Sequence, residues 1–388
     1  VDSRPHLQGR SEALELALPF APPAEWNEHE PEHEQSGEEY EEHDPEIRIR
    51  VQPEHVEKEE GDEEQRRDGG ERPSGEGHGV AQNVDGIRLR VGQGSFLSLR
   101  VKGHARTASG HTISVCQGAW DHRNRVVEAA GVPAGALDFI LMATCTGDAP
   151  LPSTACLVQH RLGATRAAAC DVSAACCGFV YALAVGDSFI RTGARHVLVI
   201  GSEVMSAITD WTDRGTCILF GDGAGAVVLS ATDEDRGILS SHLHSDGSLG
   251  DLICVPGGGS RMPPSEKVVA ERMQYIKMKG NETYEVAVKT LVRSAKEALE
   301  HHTLSADDID LYVPHQANLR IIKAVAHRLG LPMEKIALNI DRYGNTSAAS
   351  IPLALDEAVR DGRLQEGATV LLSAFGSGLT WGSTVIRW

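Results

Sequence analysis

Three short segments of this chain each place a reactive or polar side chain just before a stretch that favours a helix. Cys176 lies in DVSAACCGF, His315 in VPHQAN and Asn345 in GNTSAAS. A thiol at the start of a helix lies near backbone N–H groups and the positive end of the helix dipole, which lower its pKa and favour the thiolate. We therefore predict that Cys176 is a nucleophile in a covalent reaction.

The surrounding elements must bring these side chains together. An apolar strand-like run, Ala167–Val172, precedes Cys176, and a helix-compatible segment, Phe179–Thr192, follows it. Strands and helices alternate in this way along the chain, which predicts a parallel sheet with helices on both faces. Alone, a cysteine is more often a small buried side chain, and a His or Asn at a helix start is more often a cap. Three such residues in similar contexts favour an active site.

Composition narrows the class of protein. The formal net charge is −18, which argues against a nucleic-acid-binding protein, and most of the acidic excess lies in residues 27–76. No segment reaches the roughly 18 apolar residues that a membrane-spanning helix needs. The eight cysteines include no CxxC pair, so a zinc site is not expected. Reduced cysteines and the lack of a signal-peptide pattern predict a cytoplasmic protein.

Five segments together resemble the beta-ketoacyl-acyl carrier protein synthase III family, the thiolase-superfamily condensing enzymes that start fatty acid synthesis. These are DVSAACCGF, FGDGAGAVVL, VPHQANLRII, RYGNTSAASIPLALDEAV and FGSGLTWGSTVIRW, and the resemblance runs from about Val126 to Trp388. A histidine in HQAN with an asparagine in GNTS distinguishes this family from elongating synthases, which use two histidines. The resemblance implies an α/β, thiolase-like fold of two similar halves, each a mostly parallel sheet covered by helices, in five layers (αβαβα).

The resemblance also divides the chain. Residues 1–85 form an acidic segment predicted to be disordered or non-native, 86–235 the half with the nucleophilic cysteine, and 236–388 the half with His315 and Asn345. Residues 98–118 lack the family's Asp-Glu-Trp-Ile and Arg-Thr-Gly-Ile elements, whose Trp and Arg would help hold coenzyme A. This suggests a wrong start or a frameshift upstream of about Ala119. Gly221–Ala226 formally fits GxGxxA, but a strand-like run follows, so we interpret it as a turn between strands.

The mechanism that the resemblance implies has two stages. Cys176 takes the acyl group of an acyl-CoA, with acetyl-CoA favoured, while the backbone N–H groups of Cys176 and Ser377 hold the oxyanion. His315 and Asn345 then stabilise the enolate formed when malonyl-acyl carrier protein loses its carboxylate. The carbanion attacks the acyl-Cys176 thioester and gives a 3-oxoacyl-acyl carrier protein. No metal or redox cofactor is required.

Binding residues are implied in the same way. The resemblance assigns Arg214, Asn281 and Asn318 to coenzyme A, Gln316, Arg320, Lys323 and Arg328 to the acyl carrier protein, and Leu151 to the acyl pocket. Without the resemblance, Arg214 is a surface ion-pair residue, Asn281 a helix cap, and the basic residues a solvated helix face. Family members are usually homodimers, so a homodimer is expected, with no nucleic acid or membrane partner. Cys177 is predicted to be a small buried side chain.

Two other functions stay open at this point. A relative of the family could transfer an acyl group to an acceptor of secondary metabolism, and a requirement for a malonyl carrier would separate the two. The altered region at 98–118 could instead leave a chain unable to bind coenzyme A and therefore inactive. The sequence does not determine the length of the acyl chain.

Overall fold

The structure is a computed structural model, and it describes residues 87–89, 97–101 and 130–388. The acidic segment 1–85 and most of the region 98–118 lie outside these ranges. Within the described part of the chain, no helix is long and apolar enough to cross a membrane.

The described residues form strands and helices that alternate over residues 139–204, as the sequence predicts, whereas elsewhere several strands follow one another directly. The strands are β1 (Ile87–Leu89), β2 (Leu97–Val101), β3 (Phe139–Ala143), β4 (Ala168–Val172), β5 (His196–Val204), β6 (Asp222–Ala231), β7 (Gly237–Ser245), β8 (Ile253–Cys254), β9 (Lys277–Met278), β10 (Leu311–Pro314), β11 (Thr369–Gly376) and β12 (Thr380–Arg387). The helices are α1 (Thr154–Leu162), α2 (Gly178–Arg191), α3 (Glu266–Ala270), α4 (Gly280–His301), α5 (Leu319–Leu329), α6 (Ile340–Tyr343) and α7 (Ser350–Arg360).

The two main sheets are mixed, so the prediction of mostly parallel sheets is wrong. One sheet has the order β1-β6-β5-β3-β4, with β2 also paired to β6, and the other has the order β10-β11-β12-β7. Strand β3 is parallel to β4 and β5, and β10 is parallel to β11, whereas the other pairs in these sheets are antiparallel. A parallel pair needs a long crossover, whereas β11 and β12 are joined by the three residues 377–379, which permit only an antiparallel return.

Apolar faces stack these elements into five layers, and this confirms the thiolase-like fold class. Helix α1 packs on the outer face of the six-stranded sheet, around Ile140, Met142 and Val158. Helices α2 and α7 lie between the sheets in the largest core cluster, which includes Phe179 and Leu355. Helices α4 and α5 cover the outer face of the four-stranded sheet. The six-stranded sheet uses strands before residue 236 and the four-stranded sheet strands after it, although the division into 86–235 and 236–388 stays a prediction.

The glycine-rich segment Gly221–Ala226 is not a turn, because β6 already begins at Asp222. Close packing explains its glycines: a Cβ on Gly225 would lie 2.9 Å from Cβ of Pro352 in α7. Because these glycines carry no side chains, α7 lies directly against the sheet. The sequence interpretation was therefore right about close backbone packing and wrong about a turn.

Candidate active site

The side chains of interest lie where parallel strands end. The carboxyl ends of β3, β4 and β5 meet at one edge of their sheet, and those of β10 and β11 meet at one edge of the other. Ligand sites in α/β proteins form at this edge. A cavity of about 540 Å³ lies here, and Cys176, His315 and Asn345 all line it. The structure therefore brings together the three residues that the sequence singled out.

Cys176 lies in a 3-10 turn, Ala175–Cys177, that runs directly into α2, as predicted. The preceding residue, Ala175, has a φ of 46°, a left-handed conformation that is unusual for a side chain with a Cβ. The pKa of the Cys176 thiol is raised to about 11, chiefly by burial and to a smaller extent by nearby Glu203. Hydrogen bonds from Ser347 and from its own backbone N–H lower this pKa, but by less. The expectation of a lowered pKa is wrong, because desolvation outweighs the helix terminus.

His315 is held as a neutral hydrogen-bond donor. Its backbone N–H donates to Ser373 O at 2.8 Å, and its Nδ1 lies 2.6 Å from the Ser350 hydroxyl. That hydroxyl oxygen also accepts from the Gln316 N–H at 3.3 Å. If the hydroxyl donates its own hydrogen to Nδ1, the proton of the neutral imidazole is on Nε2. Burial lowers the pKa of His315 to about 3, so the ring is uncharged near neutral pH.

Asn345 is fixed through both its backbone and its amide. Its N–H donates to Leu219 O at 2.8 Å, and its carbonyl accepts from the Gly221 N–H at 3.0 Å. Its Oδ1 accepts from the Ser347 N–H at 2.9 Å. Because Oδ1 is engaged, the Nδ2 amino group is the part of this side chain that can donate to a ligand. His315 and Asn345 thus present two N–H donors to one cavity.

The end of β11 lies against the turn that carries the nucleophile. A Cβ on Gly376 would lie 2.7 Å from Cys176 N and 2.9 Å from Cys177 N, so only glycine permits this approach. Ser377 lines the cavity, and its hydroxyl donates to Ile253 O at 2.5 Å. Its side chain is therefore occupied, which leaves its backbone to face a substrate. The oxyanion role of the Cys176 and Ser377 N–H groups stays a prediction.

Sequence reasoning missed the buried acid Glu203, which is 1% exposed at the carboxyl end of β5. Its carboxylate accepts hydrogen bonds from Thr144 (3.2 Å), Thr146 (2.5 Å), Ser347 (2.9 Å) and both the backbone and the thiol of Cys145 (3.1 and 3.3 Å). Burial raises the pKa of this carboxyl. Glu203 could have been found from the sequence, because an acidic residue at the end of an otherwise apolar strand, HVLVIGSEV, is unusual.

The residues predicted to bind coenzyme A lie at different depths. Asn318 lines the cavity and caps α5, since its Oδ1 accepts from the Arg320 N–H at 2.8 Å. Asn281 is exposed near the start of α4, next to Gly280, which lines the cavity. Arg214 is exposed, and neither it nor Asn281 is among the lining residues. These coenzyme A contacts stay predictions.

Helix α5 exposes Arg320, Lys323 and Arg328, as a docking face requires. The guanidinium of Arg320 also lies 5.6 Å from the centre of the Tyr284 ring. The prediction for Gln316 is wrong, because it is fully buried. Its Nε2 donates to the carbonyls of Pro314 and Ala337 and its Oε1 accepts from the Asn339 N–H, so no partner can reach it.

Leu151 and Cys177, the other two residues considered from the sequence, differ in exposure. Leu151 is 85% exposed and is not among the lining residues, so within one chain it does not contribute to the cavity wall. Cys177 is fully buried with its Sγ 3.6 Å from Ala374 O, which confirms the small buried side chain that we expected.

In the described ranges, no group of three or more His, Cys, Asp or Glu side chains could hold a metal ion. That cofactors are not required stays a prediction.

Two sequence profiles match the chain. Residues 170–247 match 3-oxoacyl-[acyl-carrier-protein] synthase III, and residues 299–388 match the C-terminal part of the same family. The beta-ketoacyl-[acyl-carrier-protein] synthase III of Roseiflexus sp. (strain RS-1) is 50% identical over 310 residues, which cover 80% of this chain and 91% of that protein. The corresponding protein of Thioalkalivibrio sulfidiphilus is 52% identical over 283 residues, which cover 73% and 87%.

Solved structures give the same result. The 3-oxoacyl-[acyl-carrier-protein] synthase III of Aquifex aeolicus superposes with a TM-score of 0.66 at 43% identity, over 71% of this chain and 85% of that one. The priming beta-ketosynthase of the R1128 polyketide pathway has a TM-score of 0.65 at 34% identity, over 70% and 81%. With this fold, this cavity and these relatives, the chain belongs to the beta-ketoacyl-[acyl-carrier-protein] synthase III family, the condensing acyltransferases that initiate fatty acid synthesis.

Proposed function

We propose that this chain transfers an acyl group from an acyl-CoA, with acetyl-CoA favoured, to Cys176 and condenses it with malonyl-acyl carrier protein in the cytoplasm. The products are a 3-oxoacyl-acyl carrier protein, coenzyme A and carbon dioxide. The observation that carries the proposal is that Cys176, His315 and Asn345 line one cavity of about 540 Å³. A nucleophile beside two neutral N–H donors suits thioester chemistry.

In the first stage, the Cys176 thiolate attacks the thioester carbonyl carbon. The carbonyl oxygen becomes negatively charged, and the backbone N–H groups of Cys176 and Ser377 stabilise it. The close approach of Gly376 to the Cys176 backbone supports this pairing. The carbon–sulfur bond to coenzyme A then breaks, and the acyl group stays on Cys176.

In the second stage, malonyl-acyl carrier protein occupies the same cavity. Nε2 of His315 and Nδ2 of Asn345 donate to its thioester oxygen. The carbon–carbon bond to the carboxylate breaks, carbon dioxide leaves, and the electron pair enters an enolate that these donors stabilise. The enolate carbon attacks the acyl carbon and expels the Cys176 thiolate. Because both donors are neutral, neither protonates the carbanion.

The exposed residues Arg320, Lys323 and Arg328 on α5 serve as the docking face for the acidic carrier protein. Asn318, at the start of the same helix, lines the cavity, so a carrier on α5 would sit beside the route to Cys176. Arg214 and Asn281 are assigned to coenzyme A, for which their exposure leaves them available.

A homodimer is part of the proposal. Strand β4 is an edge of the six-stranded sheet, and its Ala168 and Cys170 side chains are exposed. An exposed edge with apolar side chains favours pairing with another strand, so we assign β4 to antiparallel pairing with β4 of a second copy. Leu151, 85% exposed, would then line the acyl pocket of the partner.

The second candidate is a priming synthase of secondary metabolism, and the likeness to the R1128 priming beta-ketosynthase favours it specifically. The test offers the enzyme a panel of acyl-CoAs with malonyl-acyl carrier protein or with malonyl-CoA, and follows 3-oxoacyl products by mass spectrometry. Product from acetyl-CoA that requires the malonyl carrier protein supports the first function. Acyl transfer that does not require the malonyl carrier protein supports the second. A folded protein that gives neither product contradicts both and leaves the inactive chain.

A further inference from the structure

An ion pair between Asp210 and Arg272 joins two loops that border the cavity. Asp210 lies in the loop between β5 and β6, which contributes Ile208 to the cavity lining. Arg272 lies in the segment between α3 and β9, which contributes Ile276. The Ile276 N–H donates to Ile208 O at 2.8 Å, so the two loops also meet through their backbones. Neither charged residue has a part in the proposed condensation.

The guanidinium of Arg272 binds both oxygens of the Asp210 carboxylate. Its Nε donates to Oδ2 at 2.8 Å and its Nη2 donates to Oδ1 at 2.6 Å. The Asp210 side chain is 4% exposed, whereas that of Arg272 is 43% exposed and lies with its Cζ 4.9 Å from the centre of the Tyr275 ring. Two parallel hydrogen bonds fix the direction of a pair as well as its distance. This pair therefore holds the two loops in one relative position.

The backbone at Arg272 indicates that its side chain has a role. Arg272 has a φ of 56° where the chain leaves α3, a conformation in which glycine is the usual residue. Its N–H donates to Val269 O at 3.1 Å, and the next N–H, of Met273, donates to Val268 O at 2.9 Å. A left-handed arginine is strained where glycine is not, and such strain is typical of functional positions.

The Asp210 carboxylate in turn sets the conformation of the loop that carries Arg214. Oδ1 accepts hydrogen bonds from the N–H and the hydroxyl of Thr212 at 3.0 and 2.7 Å. The backbone carbonyl of Asp210 accepts from the Asp213 N–H at 3.0 Å. Asp213 Oδ1 then accepts from the Gly215 N–H at 2.8 Å, which closes a turn around Arg214. A displacement of the Asp210 carboxylate would therefore move Arg214.

We propose that Arg272 is a positioning residue for coenzyme A, because it fixes the Asp210 loop so that Arg214 meets the nucleotide part of the acyl donor. Arg214 is exposed and outside the cavity lining, so it faces the part of coenzyme A that stays outside when the thioester reaches Cys176. A loop that is already ordered loses less entropy when the ligand binds. The inference rests on the proposed function in taking acyl-CoA as the donor and Arg214 as one of its contacts.

The test compares acetyl-CoA with acetyl-pantetheine, which has the same thioester and pantetheine arm but no nucleotide. Rapid quenching and intact-mass analysis give the rate of Cys176 acylation against donor concentration. For Arg272→Ala and for Asp210→Asn, we expect the half-saturating concentration of acetyl-CoA to rise about tenfold, as for loss of one charge-assisted contact, with the maximal rate unchanged. With acetyl-pantetheine, both variants should match the wild-type enzyme.

Combined variants show whether Arg272 acts through the loop. Arg272→Ala with Asp210→Asn should be no worse than either change alone, and Arg272→Ala should add nothing to Arg214→Ala, because all three changes remove one contact. Arg272→Lys keeps the charge without the paired donors, so it should restore part of the affinity.

The control is Arg360→Ala, which removes an ion pair of similar exposure from α7. Arg360 is 49% exposed and its Nε lies 2.7 Å from Oδ1 of Asp356, which is 1% exposed. Neither residue lines the cavity. This variant should keep the wild-type values with both donors, and thermal unfolding shows whether it and Arg272→Ala are folded.

Several results would overturn the proposal. A wild-type response of Arg272→Ala to acetyl-CoA excludes a role in binding. Weaker use of acetyl-CoA by Arg272→Ala but not by Asp210→Asn means that Arg272 contacts the coenzyme directly. An equal loss with both donors assigns the pair a structural role. If Arg272→Ala does not fold, Asp210→Asn and Arg272→Lys decide. If neither donor acylates the wild-type enzyme, the proposed function fails and this inference fails with it.

Discussion

Nδ1 of His315 lies 2.6 Å from Oγ of Ser350, the first residue of α7. The Gln316 N–H occupies one of the two acceptor sites of the same hydroxyl, and we propose that the Ser350 hydrogen is donated to Nδ1. The helix between the two sheets thus selects the tautomer of a residue that follows β10. Since burial lowers the pKa of His315 to about 3, the ring is uncharged near neutral pH, and in the proposed condensation it serves as a donor and not as an acid.

Replacement of Ser350 by Ala should slow condensation and spare acylation. Losing one buried hydrogen bond costs about 1 kcal/mol, which corresponds to a rate loss of roughly fivefold if it fully affects the His315 donor. Single-turnover transfer from acetyl-Cys176 to malonyl-acyl carrier protein measures this step. Ser350→Thr, which keeps the hydroxyl, should stay closer to wild type, and an equal loss in both variants would contradict the tautomer assignment.

Replacement of Asn345 by Asp should separate the two stages. The carboxylate replaces the Nδ2 donor with an acceptor that repels the enolate, so decarboxylation should fall by about 100-fold or more, as for loss of an oxyanion donor. Acylation of Cys176 should persist, because Asn345 has no role in it. Release of carbon dioxide and the intact mass of the enzyme measure the two stages separately, and parallel losses would refute this division.

Replacement of Gly376 by Ala should impair acylation most. The added methyl would lie 2.7 Å from Cys176 N, so β11 or the nucleophile turn must shift. Overpacking of this kind destabilises proteins by about 1–3 kcal/mol. Thermal unfolding and the acylation rate measure both effects. Gly135→Ala, at an exposed position where a Cβ would meet no atom within 4 Å, is the control for a glycine substitution. A stable, fully active Gly376→Ala enzyme would show that the close approach is not needed.

Reversal of charge on α5 should weaken carrier binding alone. Arg320→Glu, Lys323→Glu and Arg328→Glu should each raise the KM for malonyl-acyl carrier protein by several-fold at low salt, and less at high salt, because the contacts are exposed. The rate with malonyl-CoA should not change. Lys289→Glu, an exposed position on α4, is the matched control. Equal effects with malonyl-CoA would show that these residues do not act by binding the carrier protein.

Local patterns predicted most of the site. The strand and the helix on either side of Cys176 could be predicted, since periodicity and helix-start signals depend on neighbouring residues. Strand direction could not be predicted in the same way, because β6 and β12 pair antiparallel with the strands before them and have no crossover helix. Apolar strands alone therefore overestimated the parallel pairing.

The features that the sequence did not predict depend on contacts between distant segments. Gln316 reads as an exposed neighbour of the basic helix, yet carbonyls from two segments bury it. The pKa of Cys176 depends on how little water reaches it and on Glu203 from another strand. The position of Cys176 at the start of a helix predicted a lowered pKa, which is the wrong direction, because that position carries no information on burial.

The most direct test of the account is the intact mass of the enzyme after incubation with acetyl-CoA, with the adduct mapped by digestion. We expect one acetyl group on Cys176 of the wild-type chain, none on Cys176→Ala, and loss of the acetyl group when malonyl-acyl carrier protein is added. An unmodified wild-type enzyme, or an acetyl group on another residue such as Cys145, would contradict it.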